Sequence, residues 1–117
     1  MKKYILDLTV AEKLVPHVNY VLLKLTSSSP LPEMVPGQFA EIRVDKSPTT
    51  FLRRPISINY VDKEHNQVWF LIQLVGDGTK CLGTAEIGDI INVVLPLGNG
   101  FSMPSAPSDK LLLVGGG

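Results

Sequence analysis

Glycine and proline divide this chain into short apolar runs, and that spacing restricts what it can fold into. The 117 residues include 10 glycines and 9 prolines. The run from Val68 to Ile72 is rich in β-branched and aromatic residues and is too short to indicate a helix. Short runs of this kind, separated by turn residues, are typical of all-β proteins.

The pattern predicts six strands and one short helical segment. The strands are Tyr4 to Val15, Val18 to Thr26, Gln38 to Val44, Arg54 to Val61, Gln67 to Val75 and Ile90 to Leu95. Pro16 is expected to end the first strand, and Lys80 to Thr84 are expected to form one or two helical turns. Six strands with almost no helix favour a small closed antiparallel barrel or a sandwich.

Length and charge indicate one domain and argue against several kinds of partner. Lys plus Arg and Asp plus Glu number 11 each, so there is no basic excess to attract nucleic acid. No apolar run approaches the roughly 18 residues that span a membrane, and the first residues do not read as a signal peptide. The single cysteine, Cys81, allows no internal disulfide and no cysteine-rich metal site. We therefore expect a cytoplasmic protein that binds neither nucleic acid nor a membrane.

The first candidate site is the sequence Arg-Arg-Pro-Ile-Ser at positions 53–57. The guanidinium of arginine is a planar fork of donors that matches phosphate oxygens. Pro55 biases Arg54 toward an extended conformation, and strand alternation should place Arg54, Ile56 and Ile58 on one face and Ser57 on the other. Such a strand could line a planar ligand while Arg54 holds a phosphate. The alternative is an ordinary solvated strand end.

Two glycine-containing loops are further candidates. Gly76-Asp77-Gly78-Thr79 precedes the helical segment, where backbone N–H groups can approach an anion. Its alternative is a plain turn in which Thr79 is a cap residue. The small residues of Gly98-Asn99-Gly100 would admit a ligand beside the ring of Phe101, and the alternative there is a tight loop with Phe101 in the core.

The C-terminal residues form half of a further motif. The apolar run from Lys110 to Val114 leads directly into Gly115 to Gly117, like the opening of a nucleotide-binding βα turn. A complete fingerprint needs a following helix and another glycine, so this piece is weak by itself.

In their order along the chain, these segments closely resemble a known family. Arg-Arg-Pro-Ile-Ser-Ile, Val-Gly-Asp-Gly-Thr, Gly-Asp-Ile-Ile, Pro-Leu-Gly-Asn-Gly-Phe and Leu-Leu-Val-Gly-Gly-Gly resemble the electron transfer subunits of class B dihydroorotate dehydrogenases, within the ferredoxin–NADP reductase superfamily. The resemblance runs from about Val35 to the last residue. It implies an FAD-binding, six-stranded antiparallel Greek-key barrel with one short helix over residues 1–108. Residues 109–117 would be a linker and the first strand of a truncated NAD-binding domain.

The resemblance also implies a set of FAD contacts and no catalytic or metal-binding residue. Arg54 would hold the pyrophosphate together with Gly78 and Thr79, and Ser57 would hydrogen-bond near the reactive N5 edge of the flavin. Ile56 stands where many superfamily members have a tyrosine stacked on the flavin. The implied contacts are Arg54, Pro55, Ile56, Ser57, Leu71, Ile72, Gln73, Gly78 and Thr79.

The complete family protein would pass electrons between NADH chemistry and an FMN-containing dihydroorotate dehydrogenase catalytic subunit, in pyrimidine biosynthesis. FAD and a [2Fe–2S] cluster would carry the electrons, NAD(H) would bind the second domain, and a cysteine-rich tail would hold the cluster. This chain has neither the second domain nor the tail, so we expect a one-domain piece that is inactive alone and retains FAD weakly or not at all. Two alternatives stay open. One is the FAD domain of another NAD(P)H-dependent flavin oxidoreductase, and the other is a cofactor-free barrel used as an interaction module.

Overall fold

The computed structural model describes residues 2–116 and has an all-β architecture with one short helix, as predicted. The strands are β1 (Tyr4–His17), β2 (Tyr20–Thr26), β3 (Phe39–Ile42), β4 (Arg54–Ser57), β5 (Tyr60–Asp62), β6 (Gln67–Gln73) and β7 (Ile90–Leu97). The helix α1 is Asp77–Leu82. Among the described residues, no helix is long and apolar enough to cross a membrane.

All seven strands form one antiparallel sheet that curls into a half-barrel. The strand order is β4-β3-β7-β1-β2-β6-β5, so β4 and β5 are the two edges. These two edge strands are consecutive in the chain, separated only by Ile58 and Asn59. Ile58 donates its N–H to Gln38 O at 3.1 Å on the β3 side, and Asn59 donates to Trp69 O on β6 at 2.9 Å. The segment between β4 and β5 therefore links the two ends of the sheet.

The core lies on the concave side of the sheet and follows from strand alternation. In β2, every second residue is buried, beginning with Val21, and β6 shows the same pattern at Val68, Phe70 and Ile72. Side chains of successive strand residues point to opposite faces, so a strand with alternating apolar residues buries one face only. β1 and β7 contribute the remaining central residues, including Leu8, Val10, Val93 and Leu95.

The strand count differs from the predicted six because the stretch from Arg54 to Val61 is divided. Between Ile58 and Asn59 the backbone changes partner from β3 to β6, and a chain that crosses between two sheet edges cannot continue as one straight strand. Residue patterning alone gave no sign of this change, since Ile58 and Val61 continue the apolar character of the run.

Two other predicted boundaries are wrong for local reasons. β1 continues past Pro16 to His17, because the pairing with β2 shifts register between Leu14 and His17 and therefore needs no N–H from the proline. The helix begins at Asp77 and not at Lys80. The Thr79 hydroxyl accepts hydrogen bonds from the N–H groups of Val75 and Gly76 and so caps the start of the helix. Smaller shifts occur in β2, which starts at Tyr20, and in β3, β6 and β7.

The C-terminal segment contributes nothing to the sheet. Residues 98–116 contain no strand, and Leu111, Leu112, Leu113 and Val114 are each more than 60% exposed. The predicted strand from Lys110 to Val114 is therefore not formed in this structure. The assignment of this segment to a further domain stays a prediction.

Candidate functional site

Arg54 lies against the glycine-containing first turn of α1. A Cβ atom built on Gly78 would lie 2.9 Å from Arg54 Cδ, closer than real Cβ contacts come, and 3.1 Å from Thr50 Cγ2, which is a tight contact. Gly78 is buried, and the aliphatic part of Arg54 occupies the space that a side chain there would need. The fold thus brings together two candidate segments that are more than 20 residues apart in the chain.

The guanidinium of Arg54 keeps most of its donors free. Its Nε donates to Arg53 O at 3.0 Å, and neither Nη has an acceptor within hydrogen-bond distance among residues 2–116. Arg54 is half-buried, and its aliphatic stem packs against Gly78. A planar group with two free nitrogen atoms at its end is suited to an anion with paired oxygens.

Arg53 has a different role from its neighbour. Its Nη1 donates to Glu41 O and to Asn92 O, both at 3.3 Å, and its Nη2 donates to Asn92 Oδ1. All three acceptors belong to β3 and β7, so this guanidinium joins two strands. Of the two adjacent arginines, Arg54 is the one whose Nη atoms have no acceptor among the described residues.

Thr79 caps the turn that precedes α1. Its Oγ1 accepts hydrogen bonds from the N–H groups of Val75 and Gly76, each at 3.0 Å, and donates to Gly76 O at 3.2 Å. The alternative considered from the sequence, a cap residue, is therefore correct for this hydroxyl. The cap leaves the N–H groups of Asp77, Gly78 and Thr79 without an acceptor among the described residues, as expected for the first turn of a helix.

The carboxylate of Asp77 is held by the neighbouring loop. Thr49 donates its Oγ1–H to Asp77 Oδ2 at 3.1 Å, and no ion pair joins Asp77 to Arg54. An acidic side chain at this position would repel a phosphate if it faced the same space. The observed contact directs it to residue 49 and leaves the Arg54 charge uncompensated.

The predicted facing of β4 is confirmed. Arg54, Ile56 and Ile58 are half-buried, whereas Pro55 and Ser57 are exposed. Pro55 is accommodated because β4 is an edge strand, where a missing N–H leaves no neighbour unpaired. The hydroxyl of Ser57 has no partner among the described residues, so it is available as a donor or an acceptor.

The β6 residues of the predicted site divide into two groups. Ile72 is fully buried, so its side chain belongs to the core and only its backbone could meet a ligand. Leu71 and Gln73 are exposed on the opposite face of the strand, where Leu71 pairs with Leu22 of β2. Strand alternation accounts for the difference, because three consecutive residues cannot all face one ligand.

A groove that sequence reasoning missed begins just after Ser57. It has a volume of about 340 Å³, within the range of small-molecule sites. Its walls come from Met34 to Gly37, from Ile58 to Val61, and from Lys63 and Phe101. The groove forms because the chain bends after Ile58 and Tyr60 begins a separate strand. The sequence gives no indication of that bend, so it carries no signal for the groove.

The loop at residues 98–101 closes one end of this groove. A Cβ on Gly100 would lie 2.5 Å from Val35 Cγ2, so the loop packs directly on the segment before β3. Phe101 donates its N–H to Pro36 O at 2.9 Å, and its ring lies beside Gly37 with 72% of the residue exposed. The alternative that placed Phe101 in the core is wrong, and its ring remains a possible contact for a ligand in the groove.

In the part of the chain that the structure describes, no group of three or more His, Cys, Asp or Glu side chains could hold a metal ion. Cys81, on α1, is half-buried and packs against the core, as a small apolar residue does.

The chain is similar in sequence to one part of several longer proteins. The chain is 46% identical over 83 residues to the dihydroorotate dehydrogenase B (NAD(+)) electron transfer subunit of Shouchella clausii, and 42% identical over 83 residues to that of Geobacillus kaustophilus. In both cases the match covers 70% of this chain and 32% of the relative, so the chain spans about a third of their length. No family model matches the chain.

Solved structures with a similar fold include reductases and a siderophore-interacting protein. An NADH-dependent reduced ferredoxin–NADP oxidoreductase, described for flavin-based electron bifurcation, superposes with a TM-score of 0.70 at 26% identity. That match covers 81% of this chain and 34% of the other. The half-barrel described above is thus a fold that occurs as one part of larger electron-transfer proteins.

Proposed function

Because this chain is homologous, over about a third of their length, to the electron transfer subunits of dihydroorotate dehydrogenase B, we propose that it is an FAD-binding unit of such a subunit. The observation that carries the proposal is the contact between Arg54 and Gly78, which brings two Nη atoms close to the first turn of α1, where three N–H groups have no acceptor among the described residues. Donors of this kind, brought together from two separate segments, suit the diphosphate of a dinucleotide.

The chain's own residues would bind and orient the cofactor. Arg54 would pair with diphosphate oxygens through its two Nη atoms, and the N–H groups at Gly78 and Thr79 would donate to the same anion. The Ser57 hydroxyl would hydrogen-bond to the edge of the flavin, and the groove beyond it would shield one end of the ring from water. FAD, when bound, would supply the electron chemistry, since none of these side chains is redox-active.

In the complete protein, the partners would be a dihydroorotate dehydrogenase catalytic subunit and NAD(H), with a [2Fe–2S] cluster held outside this chain. These assignments follow from the names of the relatives and from the resemblance in sequence. Location in the cytoplasm stays a prediction of the same kind.

The proposal is tested by titrating the protein into trace FAD and following flavin fluorescence anisotropy. We expect weak saturable binding at protein concentrations up to about 1 mM, and weaker binding of riboflavin, which has no phosphate. Excess ADP should compete with FAD, because it carries the same diphosphate. No saturable binding of FAD in this range would contradict the proposal and favour a cofactor-free interaction module.

A second candidate is the FAD unit of a different NAD(P)H-dependent flavin reductase, which the fold similarity at 26% identity favours. FAD binding would be the same in both cases. Copurification from cells of the natural full-length protein separates them: recovery of an FMN-containing dihydroorotate dehydrogenase subunit supports the first candidate, and recovery of a different acceptor protein supports the second.

A further inference from the structure

The guanidinium of Arg54 is oriented by the peptide that precedes it. Its only hydrogen bond to the described residues runs from Nε to Arg53 O, at 3.0 Å. This bond fixes the plane of the guanidinium and leaves both Nη atoms at its free end. The position of the Arg53 carbonyl therefore decides where those donors point.

Residue 53, which carries this carbonyl, is in turn attached to the sheet through its own side chain. That side chain is anchored at three oxygens, which are Glu41 O on β3 and both Asn92 O and Asn92 Oδ1 on β7. Glu41 and Asn92 belong to the central part of the sheet, where β3 pairs with β7. Because residue 53 lies just before β4, without strand pairing of its own, these side-chain bonds are its firm attachment to the sheet.

One more bond carries the chain of contacts to β1. Asn92 is only 9% exposed, and its Nδ2 donates to Asp7 Oδ1 at 2.7 Å. This bond fixes the amide of Asn92 so that Oδ1 faces Arg53. Hydrogen bonds therefore link Asp7 to Asn92 and Asn92 to the Arg53 side chain, and the main-chain carbonyl of the same Arg53 accepts the bond from Arg54.

We propose that Arg53 is a positioning residue for the diphosphate-binding group Arg54, an inference that rests on the proposed function. Arginine loses considerable rotamer freedom when it binds an anion, and a side chain oriented beforehand loses less at that moment. Arg53 supplies this orientation without touching the cofactor, and Asp7 and Asn92 support it.

The inference is tested by combining Arg53→Ala with Arg54→Ala and measuring the affinity for FAD, ADP and riboflavin. Arg53→Ala should lower the affinity for FAD and for ADP about threefold to tenfold, which corresponds to the cost of ordering one long side chain. The affinity for riboflavin should not change. In the Arg54→Ala background the same substitution should have no further effect on FAD, because the group that it orients is gone. Equal losses of FAD affinity in both backgrounds would overturn the inference.

A second measurement does not require FAD to bind. In NMR relaxation experiments on the free protein, the order parameter of the Arg54 Nε–Hε group should be high and should fall clearly in Arg53→Ala. An unchanged order parameter would contradict the positioning role, while absence of FAD binding by the unaltered protein would contradict only the proposed function.

Should Arg53→Ala fail to fold, Asp7→Ala offers the same tests with an exposed residue on β1. It removes the acceptor of Asn92 and should give a smaller loss of FAD affinity, which again vanishes when Arg54 is alanine. Arg53→Lys should recover part of the Arg53→Ala loss, since an ammonium can reach one acceptor of the three. The inference would be overturned if Asp7→Ala lowered FAD affinity equally with and without Arg54 and if Arg53→Lys recovered none of the loss.

Discussion

Two cations on the sheet, Lys24 on β2 and Arg54 on the edge strand β4, have very different surroundings. The ammonium of Lys24 lies 3.0 Å from Glu12 Oε2 and 4.1 Å from the centre of the Trp69 ring, which itself packs on Tyr60. Among the described residues, Arg54 has one backbone acceptor, and neither of its Nη atoms has a partner. Lys24 is thus a completed structural contact, whereas Arg54 keeps unused donors, and the proposed diphosphate site depends on this difference.

The largest effect should follow from removing the Arg54 charge. We expect Arg54→Ala to lower FAD affinity by about 10-fold to 100-fold, since hydrogen bonds to charged groups contribute about 1.5–3 kcal/mol. Riboflavin affinity should not change. The matched control is Arg43→Ala, because Arg43 is an exposed arginine already paired with Asp45. Equal effects of the two substitutions in fluorescence titrations would remove the distinction drawn here.

The next effect concerns the space that Arg54 occupies over the loop. Gly78→Ala should displace the Arg54 stem, reduce FAD affinity about tenfold and destabilise the protein by about 1 kcal/mol. Gly76→Ala is the control, because a Cβ there meets no atom within 4 Å, and it should change stability by less than about 0.5 kcal/mol. Urea denaturation and FAD titration check both variants. Loss of FAD affinity in Gly76→Ala as well would point to the loop backbone rather than to Arg54.

Lys24 should show the opposite behaviour, an effect on stability without an effect on binding. Lys24→Met keeps the apolar stem and removes the charge, so we expect a loss of about 1 kcal/mol in the free energy of unfolding. FAD affinity should remain that of the unaltered protein. Lys110→Met, on the exposed C-terminal segment, should alter neither property. A weaker FAD affinity in Lys24→Met would mean that the two cations are not separate in function.

The smallest effect should come from the exposed pair His65 and Asp62, whose Nδ1 and Oδ2 atoms lie 2.8 Å apart. The side-chain hydrogen bond to Asp62 raises the pKa of His65, and the same bond lowers the pKa of Asp62. Stabilisation by a histidine with a raised pKa is complete below its unfolded pKa of about 6.5 and is lost as the pH rises through the folded value. Stabilisation by an aspartate with a lowered pKa is lost as the pH falls below about 3.9.

The pair should therefore stabilise the fold most between about pH 4 and pH 6.5. Melting temperatures of the unaltered protein and of His65→Ala should differ slightly at pH 5.5 and converge at pH 8.5. A difference that grows with pH would contradict this assignment. FAD affinity at fixed pH should be the same in both proteins, as it is expected to be for Lys24→Met.

Residue patterning predicted the parts of the fold that depend on local alternation. The apolar faces of β2 and β6 and the facing of Arg54 and Ile56 on β4 follow from the two-residue period of a strand. The glycine turn before α1 was also visible in the sequence. These features involve residues that are close in the chain, where spacing is informative.

The remaining features depend on contacts that spacing does not reveal. Arg53 and Arg54 look alike in sequence, and what separates them is Asn92, which is 39 residues from Arg53 and is itself held by Asp7, 85 residues away. The bend after Ile58 likewise needs knowledge of two strands, β3 and β6, that meet the chain from opposite edges. Only the fold brings these groups together.

The diphosphate site is tested most directly by following backbone amide resonances during titration with ADP, which carries the diphosphate without a flavin. Shifts should concentrate at Arg54 and at residues 77–79, remain negligible at the β1–β2 hairpin around Val18, and disappear in Arg54→Ala. Shifts that avoid residues 54 and 77–79, or that persist unchanged in Arg54→Ala, would contradict the assignment of this site.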